Sequence, residues 1–235
     1  MPIKPFSFVH DLENLRHQQI EAGSLDPKEA LLRSWQSNRL ARTYADLLQQ
    51  PRYRPACLFF LNEVYAARDF AQRDHDIEQM YAFMRRFLPD SLLRPLMLTV
   101  EVNSLTLKLD RQLIEVMVNQ LGVTDTITEE LYAEGYRLCD NYDARRHQIN
   151  LVNEIGSQLD RVVHLPFAGT ALNIAKSPAK RAGWSELTDF LETGYRAFKR
   201  LRGADSFLNT IRSRELKILD RIHEGASNPF GFAEK

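Results

Sequence analysis

The sequence predicts an all-α fold, a single multi-helix bundle of about nine or ten helices. Three observations carry that expectation. Apolar residues recur at helical spacing along nearly the whole chain, and strand-like alternation is almost absent. Glycine and proline number only 10 each in 235 residues, so long elements meet few breaks. Capping residues and glycine stops fall at intervals that suit helices of ordinary length.

The first helix starts near Ser7 and stops before Gly23. The second opens on Asp26 as N-cap, with Pro27 in the first turn and Glu29 closing a capping box. Its apolar face runs through Leu31, Trp35, Tyr44, Leu47 and Leu48, and Pro51 and Pro55 bracket a connector. A third helix over about 55–66 is apolar on nearly every side, which predicts a central, buried position. Asp69 and Gln72 form the capping box of a fourth, whose inner stripe is Phe70, Ile77, Met80, Tyr81, Met84 and Phe87. The fifth spans about 91–121, with Pro95 near its start and Gly122 as its stop. A sixth begins at Thr126 or Thr128 and ends near Asp140. The seventh, about 143–164, places Val152, Ile155, Leu159 and Val163 on one face. A short eighth over 169–176 is broken by Pro178. The ninth, about 184–202, carries Lys199, Arg200 and Arg202 in its last turn, where the helix dipole favours cations. Gly203 stops it, Asp205 caps the tenth, and 225–235 reads as a disordered tail. Residues 1–224 form one domain, with 1–50 readable as a helical arm packed on the rest, and the core is expected around the third, fifth and seventh helices.

Charge and cysteine usage narrow the function classes. Lys plus Arg and Asp plus Glu total 31 each, so the net charge is zero. That balance argues against nucleic acid as a partner, because affinity for phosphate backbones needs a basic surplus. Cys57 and Cys139 lie in apolar helical contexts, too few for a disulfide framework. The start of the chain carries early charges and no apolar signal core. The longest uncharged stretch, 162–175, has 14 residues and includes a proline and a glycine, which predicts no membrane span. A cytoplasmic location is the expectation.

The run Phe59-Phe60-Leu61-Asn62-Glu63-Val64-Tyr65 resembles the signature of a bacterial family, the FFLEELY-motif proteins. Arg68-Asp69-Phe70 with Arg73-Asp74 is similar to the same family. So is the stretch from Phe190-Leu191-Glu192-Thr193-Gly194-Tyr195-Arg196-Ala197-Phe198 through Gly203-Ala204, Phe207-Leu208 and Thr210-Ile211 to Arg214-Glu215. Asn62 stands where the signature usually has an acidic residue. The resemblance implies a soluble bacterial helical protein, and it implies no activity, cofactor or site residue.

Read from the residues, Glu63 and Glu101 are the catalytic candidates, since a carboxylate on an apolar helix face needs a reason. Each reads as a metal ligand, as a general acid or base, or as half of an ion pair. No Glu is followed by His at the third position, so the di-iron bundle signature is absent and no metal is expected. His147, Glu154 and His164 are the residual ligand candidates; Asp143 and Asp160 each stand four residues before a histidine. Neither a nucleophile elbow nor a glycine-rich phosphate loop occurs. Gly135, Gly156 and Gly194 interrupt helices; each marks either a close helix crossing or a backbone approached by a flat cofactor or lipid. Charge is uneven: 176–202 holds seven basic and three acidic residues, a local +4, and 59–78 holds five acidic and two basic, a local −3. Arg68, Asp69, Arg73, Asp74, Lys199, Arg200 and Arg202 therefore form the candidate ligand or partner face. Asn228-Pro229-Phe230 is either a docking peptide or a frayed end. The first functional expectation is a helical module without catalytic activity or cofactor, binding a protein partner, a second copy of itself or an apolar ligand. The alternative is an iron- or haem-dependent helical-bundle enzyme. A weaker one is a nucleic-acid accessory protein using Lys180, Arg181, Lys199, Arg200 and Arg202.

Overall fold

The computed structural model describes residues 26–64, 90–181 and 183–231. Among them every regular element is helical. The first expected helix and the fourth, over 69–87, lie outside the described residues.

Helix α1 (Pro27–Thr43) starts where the sequence places it. Asp26 accepts from the Lys28 N–H at 2.8 Å, so its side chain caps the second helical residue. The chain leaves helical geometry at Tyr44 and resumes as α2 (Ala45–Gln49), so one expected helix is two. Helix α3 (Arg54–Phe59) runs directly into a π-helical turn, Phe60–Val64. This corrects the expectation of a helix buried on all sides. Ala56, Cys57 and Phe59 are buried, but Leu58 and Val64 are more than a third exposed. A π turn takes more residues per turn, which rotates part of the apolar run off the core.

Helix α4 (Asp90–Asn119) ends at Gly122, whose φ of 67° lets the Val123 N–H reach back to the Met117 carbonyl at 2.9 Å. Thr128 caps α5 (Glu129–Cys139) by accepting from the Leu131 N–H. Helix α6 (Tyr142–Val163) follows. Helix α7 (Ala168–Arg181) runs through Pro178 instead of stopping there. The missing N–H leaves a carbonyl one turn earlier, at Ile174, where the surface is open and water can donate. Helix α8 (Ser185–Leu201) and helix α9 (Asp205–His223) complete the set, and Asp205 is the first residue of α9, not its cap.

Helix α6 packs on α4 and on α9, α8 packs on α3 and α6, and α5 bridges α4 and α9. The fifth and seventh predicted helices (α4 and α6) are central as expected, and α9 takes the place expected of the third. Two apolar clusters result. One joins Leu40, Tyr44, Leu47, Cys57, Phe59, Val163, Phe198, Leu201 and Phe207. The other joins Leu32, Leu113, Met117, Ile127, Tyr132, Ile218, Ile222 and Phe230. Helices α1 and α9 each contribute to both, so residues 27–49 supply buried side chains to the core. The tail is placed through Gly231, against the expectation of disorder from residue 225. Phe230 is buried, its ring 5.7 Å from that of Trp35, and Arg221 donates to the Gly231 carbonyl.

Candidate functional site

Helix α1 buries Leu32 and Leu40, and Gln36 and Arg39 share that inward face. A buried guanidinium needs a partner. Helix α9 supplies it: Arg39 donates to Glu215 Oε1 at 2.5 Å, and the Tyr44 hydroxyl donates to the same oxygen at 2.6 Å. Helix α6 repeats the arrangement with Arg145. Its Nη1 donates to Asp110 Oδ1 and to Gln148 Oε1, both at 3.1 Å, and its Nη2 to the Leu109 carbonyl at 3.0 Å. The Arg145 guanidinium lies 4.7 Å from the centre of the Tyr136 ring. Gln36 Nε2 donates to Asp110 Oδ1 at 3.3 Å, tying α1 to α4. The Tyr132 hydroxyl donates to that of Tyr136, and Gln148 Nε2 to Thr106 Oγ1.

Electrostatics keep this cluster charged but balanced. Burial alone would lower the pKa of Arg39, yet the Glu215 carboxylate more than offsets it and holds the group above its ordinary value. Burial opposes the charge on Arg145 too, and the surrounding Tyr136 and Asp110 raise it. Burial, then the neighbouring Tyr136, pushes the Tyr132 hydroxyl well above its usual range, so it stays a neutral donor.

Both ion pairs line one partly open cavity of about 340 Å³. Its charged lining comes from Glu29, Arg33, Arg39, Asp110, Arg111, Arg145, Arg212 and Glu215, and the rest of its wall is mainly apolar, including Phe59, Phe60, Leu107, Val152 and Leu159.

The residues singled out from sequence are differently placed. Glu63 sits half-buried in the π turn. Glu101 meets His147 across α4 and α6, Oε1 to Nε2 at 3.1 Å, but both side chains are more than a third exposed, so Glu101 is not the buried carboxylate expected. Glu154 pairs with Arg94, and the Nδ1 of His164 lies 2.7 Å from the Asp160 carbonyl within the last turns of α6. Among the described residues no group of three or more His, Cys, Asp and Glu side chains is placed to hold a metal. Arg68, Asp69, Arg73 and Asp74 lie outside the described residues. Lys199 donates to the Val163 carbonyl at the end of α6, and Arg200 and Arg202 are exposed. The basic segment is partly neutralised from within, because Lys176 pairs with Glu192 and Lys180 with Asp189.

The helical glycines are filled by protein. A Cβ at Gly156 would stand 2.4 Å from Leu208, one at Gly135 2.9 Å from Leu113, and one at Gly194 3.0 Å from Phe59. Each is a close crossing and not an opening for a flat cofactor.

Sequence reasoning missed Gln36, Arg39, Asp110, Arg145 and Glu215. A signal was present. Glu215 is the one charge in the stripe Leu208, Ile211, Glu215, Ile218, Ile222, and Arg145 stands seven residues before Val152 on the inner face of α6.

Fold and site together define an all-α protein with two buried ion pairs set against a partly open cavity. The chain belongs to the family described as Domain of unknown function (DUF8198), which matches residues 15–229. No curated protein and no solved structure matches it. No described helix is long and apolar enough to cross a membrane.

Proposed function

We propose that this protein is a binding module without catalytic activity, and that it takes a small, largely apolar ligand in the cavity between its two core clusters. The observation that carries the reading is the cavity itself. Its volume of about 340 Å³ falls in the range of small-molecule sites, ~300–1,000 Å³. A mainly apolar wall with a few convergent polar groups is the usual composition of such sites. The balanced ion pairs support binding over catalysis, since each charged group already holds a protein partner.

Fluorescence of the uncharged dye Nile red tests this. The full chain is expected to bind it with a blue-shifted, saturable signal. Val152→Phe, which puts a ring into the cavity without touching the ion pairs, is expected to weaken binding by about tenfold or more while helicity is retained. Equal binding by both proteins, or no saturable binding by either, overturns the proposal.

A further inference from the structure

Among the described residues, five arginines and three carboxylates line the cavity, with no lysine or histidine. Two of the arginines, Arg39 and Arg145, are matched by Glu215 and Asp110 in the buried pairs. Arg33, Arg111 and Arg212 then stand against Glu29 alone, so the described wall carries a net positive charge. Resting on the reading above, we infer that the ligand's head is an anion, a carboxylate of the fatty-acid kind, and that Arg39 Nη2 donates to it.

The two buried guanidiniums are not equally satisfied. An arginine side chain has five N–H donors. Arg145 divides Nη1 and Nη2 among Asp110, Gln148 and the Leu109 carbonyl. Arg39, its side chain only 9% exposed, makes one described bond, from Nη1 to Glu215 Oε1. Its Nε is enclosed without a partner. Its Nη2 is not enclosed and holds no hydrogen-bond partner among the described residues. Arg39 lines the cavity, so the opening that Nη2 keeps is onto it. A ligand oxygen gains most at such a donor, because a charge-assisted bond replaces an unmet one.

The charge of the wall selects the sign of the head. Arg111 follows Asp110 on α4, is half-buried, and makes no hydrogen bond or ion pair among the described residues. Arg212 is exposed, and its Nε donates to the neutral Asn150 Oδ1 at 2.8 Å. Asp110 and Glu215 oppose an incoming anion, but each holds two donors on one oxygen, which offsets much of their charge. An ammonium head would add to the positive surplus. A hydroxyl would meet Nη2 with a weaker bond and leave the surplus as it is. The tail lies along Phe59, Phe60, Leu107, Val152 and Leu159 whichever head it carries, so the head alone separates the three.

Displacement of Nile red from the full chain by decanoate, decanol and decylamine, each below its aggregation concentration, tests the inference. Decanoate is expected to displace the dye at concentrations about tenfold lower than decanol, with decylamine the weakest. Decanol or decylamine competing as well as decanoate overturns the inference and leaves the binding reading standing. Displacement by none of the three, or no dye binding at all, overturns both. Decanoate that binds Val152→Phe as tightly as wild type sits outside the cavity and also overturns the inference. Arg39→Gln with Glu215→Gln removes the charged donor and leaves the net charge of the wall unchanged. This double variant is expected to lose most of the tenfold preference for decanoate over decanol. Arg111→Gln removes one positive charge where no protein contact is lost, and is expected to lower the preference about threefold. The readout is a ratio within one protein, so a loss of stability does not mimic it. An unchanged ratio in the double variant contradicts the role of Arg39, and an unchanged ratio in Arg111→Gln contradicts that of the wall charge.

Discussion

Glu215 holds two donors on one oxygen, the guanidinium of Arg39 and the hydroxyl of Tyr44. Its removal leaves a buried cation without a counter-ion. Glu215→Ala is therefore expected to destabilise the fold by about 3–5 kcal/mol in urea denaturation, while Arg39→Met with Glu215→Leu costs much less. A cost for the double variant equal to that of Glu215→Ala would contradict a pairing role. At Cys57, burial and then the nearby Asp46 push the thiol up to about 11, and burial raises Cys139 as well. Neither is a thiolate at neutral pH, so alkylation is expected to be slow in the native protein and rapid after unfolding. Fast native labelling at neutral pH would contradict this. Asp46 bonds through both oxygens to Arg214, at 2.7 Å each, joining α2 to α9. The hydrogen bond to Arg214, against the opposing effect of burial, holds the Asp46 carboxyl below its usual range. A lowered folded-state pKa means the stabilisation is present above the unfolded value of about 3.9 and is lost as pH falls through the folded one. Asp46 is half exposed, so the effect is ~1 kcal/mol or less. Wild type is thus expected to exceed Asp46→Asn slightly at about pH 5, the gap closing toward about pH 2. A gap that widens in acid would contradict the sign.

At the scale of elements, the helices that open on a strong cap or close on a glycine were legible. Asp26 starts α1, Thr128 starts α5, and Gly122 and Gly203 close α4 and α8 with positive φ. The departures have local causes that carry no compositional mark. The π turn at Phe60–Val64 changes only the hydrogen-bond register, and the break at Tyr44 follows no proline or glycine. Pro178 predicts a stop, but at an open turn its missing N–H is tolerated and the helix continues. Gly156 marks the crossing of α6 with α9. Gly156→Ala would force Leu208 aside, so it is expected to cost about 1–3 kcal/mol despite the better helix propensity of alanine. Shortening Leu208 in the same chain should recover part of that loss, and a strictly additive double variant would show that the two do not touch.

For the molecule as a whole, helical class follows from periodicity, but the site does not. Glu101 and His147 share neighbouring helices and were each visible as unusual residues, yet they meet at the surface. The polar cluster forms because α1, α4, α6 and α9 each place a charged or amide side chain at one buried level. That coincidence depends on helix order and rotation, which a single sequence does not state. The two apolar clusters then meet across this level without filling it, and the cavity is what remains. The most direct measurement is methyl NMR of the full chain titrated with decanol. Binding in the cavity predicts saturable shifts at Leu107, Val152, Ile155 and Leu159, with Leu165 and Ile174 on the outer surface unmoved. Shifts at Leu165 and Ile174 with the interior methyls silent would contradict it.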